Sequence, residues 1–213
     1  MVKIGVMASG GGSNFQSIID NVSYGYIPDS EIVLLISDKA DAKAMERAKA
    51  AGIDARFLDP ASIPDRMAYD SKAADLFEQA GAELICLAGY MRIVTPSLLS
   101  RFPGRVMNIH PALLPSFPGL HGQRQQLEYG VKVAGCTVHF VDDEVDHGPI
   151  ITQAAVPVLE GDDEDSLAKR ILEKEHLIYP QAIRWYAEGR LAIDGRRVRV
   201  EGVLRSGRGL RVL

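Results

Sequence analysis

Two rhythms of apolar and polar positions run along the first half of the chain. Strand-like stretches recur at residues 4–8, 32–36, 55–58, 84–88 and 106–109. The stretch 32–36 is continuously apolar, as expected of a strand covered on both faces. Helical spacing fills the intervals, at residues 15–21, at 42–51 ended by Gly52, and in a helix whose start Ser62 and Pro64 mark and whose end is Gly81. Thr95 and Pro96 open a short helix before the fifth strand. Alternation of this kind predicts parallel βαβ units, hence an α/β, doubly wound sheet.

The rhythm changes after Gly122. Residues 123–129 read as a short helix ended by Gly130. Strands follow at 137–141 and 150–157, joined by only 142–149. That link is too short for a helical crossover, so the pair is expected to be antiparallel. Residues 162–188 form a long helical pattern with Leu167, Ile171, Ile178, Ala182 and Ile183 on one stripe. Glu175 falls on that stripe, where a carboxylate must be paired, protonated or used; a structural salt bridge is the ordinary use. Residues 191–198 suggest a hairpin around Asp194-Gly195. Residues 205–213 are basic and Gly-containing, and are expected to be loosely ordered. The organisation expected is one domain over residues 1–190, a mostly parallel sheet with an antiparallel C-terminal extension, then the hairpin and basic tail over 191–213.

Composition narrows the class. Of the 213 residues, 46% are apolar and 24% charged, a globular balance rather than a disordered one. A net charge of −4 gives no reason to expect nucleic-acid binding. No apolar run approaches the length of a membrane span, and the first residues lack the layout of a signal peptide. A cytoplasmic protein is the expectation. Cys86 and Cys136 both lie in apolar strands and read as buried free thiols.

Three stretches carry candidate chemistry. In the strand 106–109, residues two apart point to the same side, so Asn108 and His110 project together. Pro111 cannot extend a central strand. An amide and an imidazole therefore stand where a strand ends, the end at which open α/β sheets bind ligands; a capping Asn and a core His would look the same. The second stretch is Ser9-Gly10-Gly11-Gly12-Ser13-Asn14, between a strand and a helix. Backbone N–H groups and the helix dipole there suit a phosphate. No Gly-Lys-Ser/Thr follows, and Phe15 replaces the third glycine of the dinucleotide fingerprint, so a single phosphate is favoured over a dinucleotide. Gly12 is expected to admit close backbone approach to it, and a tight structural turn is the alternative. The third is Asp142-Asp143-Glu144-Val145-Asp146-His147-Gly148-Pro149. It lacks the spacing of a calcium loop. Asp142, Asp143 and Glu144 read as a solvated turn, but Gly148 and Pro149 would fix the backbone behind Asp146. If that carboxylate meets His110, it should orient the ring and raise its pKa, keeping it protonated near neutral pH.

Asn108-Ile109-His110-Pro111, together with 135–141 and 146–151, resembles the folate-dependent formyltransferases. With Ser9 to Asn14 and Lys174-Glu175-His176, the likeness is to the branch acting on glycinamide ribonucleotide, and it extends from Met1 to about Leu191. Gln123 and Gln126 depart from the His and Ala of that pattern around Arg124. The resemblance implies the formyltransferase fold, with a phosphate-binding N-terminal half and a folate-binding C-terminal half. It implies formyl transfer from 10-formyltetrahydrofolate, a co-substrate, to the amine of glycinamide ribonucleotide in purine synthesis, with no metal required. Asn108, His110 and Asp146 would be catalytic. Gly11, Gly12, Ser13, Asn14 and Glu175 would hold the ribonucleotide. Arg66, Leu87, Met91, Arg92, Ile93, Val94, Asn108, Asp143 and Asp146 would meet the folate. The partners implied are small molecules, with no nucleic acid or membrane, in a monomer or homodimer. A methionyl-tRNA formyltransferase, a formyltetrahydrofolate deformylase and a non-catalytic nucleotide-binding module remain as alternatives.

Overall fold

The structure, a computed structural model, describes residues 1–202; the basic stretch 205–213 lies outside them. The chain divides into two compact units, residues 1–108 and the residues from 109 onward.

In the first unit, β1 (Val2–Met7), β2 (Ser30–Ser37), β3 (Ala55–Phe57), β4 (Leu84–Leu87) and β5 (Val106–His110) lie in the order β3-β2-β1-β4-β5. Every pair is parallel. The helices α1 (Ser13–Ser23), α2 (Lys43–Ala50), α3 (Arg66–Gln79) and α4 (Pro96–Leu99) fall between the strands, as the apolar rhythm predicts. Ile4, Val6, Leu35, Ile36, Leu84 and Ile85 are buried with Phe15, Tyr69 and Phe77. Gly5 makes room for this layer: a Cβ there would stand 2.5 Å from the Phe77 ring. The starts of α1 and α3 differ from the sequence reading by more than one residue. α1 begins at Ser13 rather than residue 15. α3 is capped by Asp65, whose carboxylate accepts from the Ala68 N–H at 2.8 Å, while Ser62 ends a separate 3-10 turn. That bond, three residues on from Asp65, fixes the start.

The strand order reverses between β1 and β4. Chains leaving these two strands turn to opposite sides, so their loops part and leave the crevice in which such sheets bind ligands.

In the second unit, β6 (Val133–Phe140), β7 (Ile150–Pro157), β8 (Leu191–Asp194) and β9 (Arg197–Val200) lie in the order β6-β7-β9-β8. β6 and β7 are antiparallel, as are β8 and β9 around Asp194-Gly195. β6 begins at Val133, four residues before the strand read from sequence. Gly135 hides it there, because the strand lies so close to β7 that a Cβ would fall 2.1 Å from the Ala154 carbonyl. The helix α5 (Gly122–Tyr129) precedes β6, and α6 (Glu164–Ala187) packs on β6 and β7. Asp163 and Ser166 close a reciprocal capping box at its start. Its buried face is Leu167, Ile171, Glu175, Ile178, Tyr179, Ala182 and Ile183. The fold is thus α/β, with parallel strands first and two antiparallel pairs after, which meet through a parallel pairing of β7 with β9. Cys86 and Cys136 are buried and free. Among the described residues no helix is long and apolar enough to cross a membrane.

Candidate active site

In the first unit, the loops after β1 and β4 are tied together where the strand order reverses. The Ser9 N–H donates to the Gly89 carbonyl at 3.1 Å, and the Met91 N–H donates to the Ser9 hydroxyl at 2.9 Å. The Gly-rich loop and residues 87–94 therefore form one connected rim. Gly12 caps α1 with a left-handed φ of 66°. Packing adds a second reason for glycine at this position. A Cβ at Gly12 would stand 2.9 Å from the Ala44 backbone. Close packing on α2 and the positive φ demand glycine there, whatever ligand approaches. Met91 and Ile93 are exposed, whereas Leu87 and Val94 are buried. The Arg92 guanidinium lies over the Tyr69 ring, 4.7 Å from its centre.

Asp70 was not singled out from the sequence. It is 2% exposed and accepts from the Thr95 N–H at 2.6 Å, anchoring the end of the 87–94 loop. Burial raises its pKa; Thr95, Arg92 and Arg66 oppose that. Its signal was its place one residue after Tyr69 on the buried face of α3.

In the second unit, His110 ends β5 and is 4% exposed. Its Nδ1 lies 3.2 Å from Asp146 Oδ2, and its Nε2 lies 2.8 Å from the Phe117 carbonyl. Phe117 holds a left-handed φ of 56°, with its ring against Tyr129 of α5. The segment after His110 is pinned by polar side chains. The Thr137 hydroxyl donates to the Ala112 carbonyl at 2.7 Å and accepts from the Leu114 N–H at 3.0 Å. Gln153 donates to the Leu114 carbonyl and Gln126 to that of Pro111, each at 2.9 Å. Gln126 thus has a defined task at a position where the family pattern differs.

Asp146 is delivered as its neighbours predict. Its φ is 52°, a conformation Asp tolerates better than most residues. A Cβ on Gly148 would stand 1.8 Å from the Phe140 carbonyl, so only glycine fits behind it. Asp146 Oδ2 also accepts from the Gly119 N–H at 2.8 Å, and Oδ1 lies 3.6 Å from Nε2 of buried His139. His139 was missed because a histidine in an apolar strand reads as core. Asp143 is exposed, and the neighbouring Asp142 pairs with His147 at 3.0 Å. Glu175 is 6% exposed on α6 and adds to the burial that raises the Cys136 thiol pKa.

The charge state of His110 corrects the sequence expectation. Burial lowers its pKa more than the Asp146 carboxylate and the Phe117 carbonyl raise it, and His139 lowers it further. Burial thus favours the neutral imidazole. Burial also disfavours the Asp146 carboxylate, but His139, His110 and the Gly119 N–H together hold its pKa below the ordinary value. Both ring nitrogens of His110 face acceptors, so a second ring proton would complete both hydrogen bonds. Desolvation, chiefly, and the neighbouring His139 oppose it.

A pH dependence of stability follows. His110 titrates lower folded than unfolded, so stability should fall as pH drops below the ordinary 6.5, where the unfolded chain takes up that proton first. Asp146 should add a loss only below the ordinary 3.8, since its folded pKa is the lower one. Urea unfolding at pH 7.5 and 5.5 checks the first part: His110→Gln should lose less stability between these pH values than the unaltered chain. Equal losses would remove His110 as the cause.

Comparison with known proteins shows the family. The formyl transferase family model matches residues 2–183. Phosphoribosylglycinamide formyltransferase of Escherichia coli (strain K12) is 43% identical over 208 residues, covering 94% of this chain and 98% of the relative. The trifunctional purine biosynthetic protein adenosine-3 of Homo sapiens is 41% identical over 189 residues; the match covers 88% of this chain and 18% of that longer protein. Among solved structures, glycinamide ribonucleotide transformylase 1 from Symbiobacterium toebii superposes with a TM-score of 0.93 at 58% identity, covering 94% of each chain.

Proposed function

Since the chain belongs to the formyl transferase family, and within it to the phosphoribosylglycinamide formyltransferases, we propose that it moves the formyl group of 10-formyltetrahydrofolate onto the amine of glycinamide ribonucleotide. The observation that carries the chemistry is buried His110, held between the Phe117 carbonyl and the Asp146 carboxylate at the end of the strand that bears Asn108.

The amine attacks the formyl carbon, and the carbonyl electrons move onto oxygen. The oxyanion needs donors and positive charge already in place. The Asn108 amide supplies an N–H. His110 supplies charge: a developing oxyanion beside the ring favours uptake of a second ring proton from water, returned when the oxyanion collapses; both nitrogens then donate, to Phe117 and Asp146, and the ring acts on the oxyanion through its charge. The amine proton leaves through water held at Asp146 and returns to N10 as the carbon–N10 bond breaks. Tetrahydrofolate and the formylated ribonucleotide are released. No step calls for a covalent nucleophile or a metal.

Gly11, Gly12, Ser13 and Asn14 hold the phosphate at the start of α1. Leu87, Met91, Arg92, Ile93 and Val94 receive the pterin, with backbone groups of Arg92 and Val94 on its polar edge and Arg66 at the glutamate tail. Glu175 takes the ribose hydroxyls or the glycyl amine. This reading involves small molecules alone and places the enzyme in the cytoplasm as a monomer or homodimer.

Incubation with 10-formyltetrahydrofolate, with and without glycinamide ribonucleotide, is the test. Tetrahydrofolate release that depends on the ribonucleotide supports the transferase. Release without it would make the protein a deformylase, and no release a binding module. For Glu175, replacement by Gln should weaken ribonucleotide binding by about 1–3 kcal/mol, the scale of a charged hydrogen bond. Unchanged binding with lowered thermal stability would assign Glu175 to the α6 core instead.

A further inference from the structure

We propose that Arg47 is a positioning residue of the Gly-rich loop, and that it sets the preference for a substrate bearing a phosphate monoester. This rests on the phosphate assignment made above.

α2 holds two consecutive carbonyls of that loop. The Ala44 N–H donates to the Gly10 carbonyl at 3.2 Å, and Arg47 Nε donates to the Gly11 carbonyl at 2.9 Å. In a trans peptide the C=O of one residue and the N–H of the next point in opposite directions. Fixing the Gly10 and Gly11 carbonyls toward α2 therefore aims the Gly11 and Gly12 N–H groups away from it. Among the described residues neither N–H donates to a protein acceptor. The adjoining start of α1 adds its dipole to the same spot. Two aligned donors at a helix N-terminus form an anion cradle.

Arg47 is itself held in place. Its Nη1 donates to Gln16 Oε1 at 3.0 Å, and Gln16 Nε2 donates to Asp20 Oδ1 at 2.8 Å, so α1 orients the guanidinium that orients the loop. Its stem lies against Gly12, where a Cβ would meet Arg47 Cδ at 3.3 Å. At Gly10 and Gly11 an added Cβ meets nothing. α2 thus packs on the loop from one side only, and Arg47 is the cation on that side. Without it the Gly11–Gly12 peptide can rotate, and its N–H is no longer preset.

The test compares glycinamide ribonucleotide with its phosphate-free ribonucleoside. In Arg47→Ala, KM for the ribonucleotide should rise about tenfold, the scale of one well-placed hydrogen bond. kcat, KM for 10-formyltetrahydrofolate and KM for the ribonucleoside should stay within about twofold, the ordinary scatter of a surface change. Arg47→Lys, which can still donate to Gly11, should recover part of the loss. General loosening of the unit would instead raise all KM values together. An unaltered enzyme that treats both amines alike would overturn the phosphate assignment, and Arg47's role with it. A preference for the ribonucleotide that survives Arg47→Ala unchanged would overturn the role of Arg47 alone.

Discussion

Asp146→Asn should lower kcat by about a hundredfold or more, the usual scale of one electrostatic or proton-transfer contribution. The substitution keeps the shape and removes the charge. The carboxylate is the main influence raising the pKa of buried His110, so its loss should push that pKa further down. The ring would then resist the proton that an oxyanion calls for. Asn108, His110 and Asp146 are expected to act as a unit, so Asn108→Ala combined with Asp146→Asn should cost less than the sum of the two single losses. Single-turnover rates of the three variants and an NMR titration of His110 decide this. Fully additive losses with an unmoved titration would separate the residues into independent contributors.

Gly148→Ala should be nearly as damaging, for a steric reason. The new Cβ would overlap the Phe140 carbonyl at 1.8 Å, and that neighbour is backbone held by its own ladder. Phe140 donates its N–H to the Pro149 carbonyl at 2.9 Å, so neither side can yield cheaply. A stability loss of about 3 kcal/mol is expected, at the upper end of overpacking costs. The loop must shift, and Asp146 shifts with it. Misplacement of a catalytic group by about 1 Å costs roughly a hundredfold in rate. Chemical denaturation and kcat at a temperature where the variant remains folded separate the two effects. Gly10→Ala, whose Cβ meets nothing, is the control and should leave stability unchanged. A Gly148→Ala enzyme with normal kcat would show that Asp146 needs no fixed position.

Local order along the chain was enough to find the main parts. Period-two spacing put Asn108 and His110 on one side of β5. The period of α6 put Glu175 on the buried stripe, where it is 6% exposed. Gly148 and Pro149 marked Asp146 out from its three acidic neighbours. The short link between β6 and β7 required an antiparallel pair, which is what forms. Each of these is a property of backbone geometry over a few residues, and sequence encodes it directly.

What the sequence by itself determined, then, is the alternation of strands and helices and the direction in which the chemical side chains leave them. The tertiary structure decided their state and their partners. His110 reads from sequence as a cation beside a carboxylate; burial at 4% exposure, with His139 nearby, pushes its pKa below the ordinary value instead. Gly12 reads as an opening for phosphate; α2 lies against it and requires the missing side chain. The Phe117 carbonyl and Arg47 carry no local mark at all, because a carbonyl and a helix arginine become special only through the residues they meet. Desolvation and hydrogen bonding sum over atoms brought from distant parts of the chain, and that sum exists only once the chain has folded.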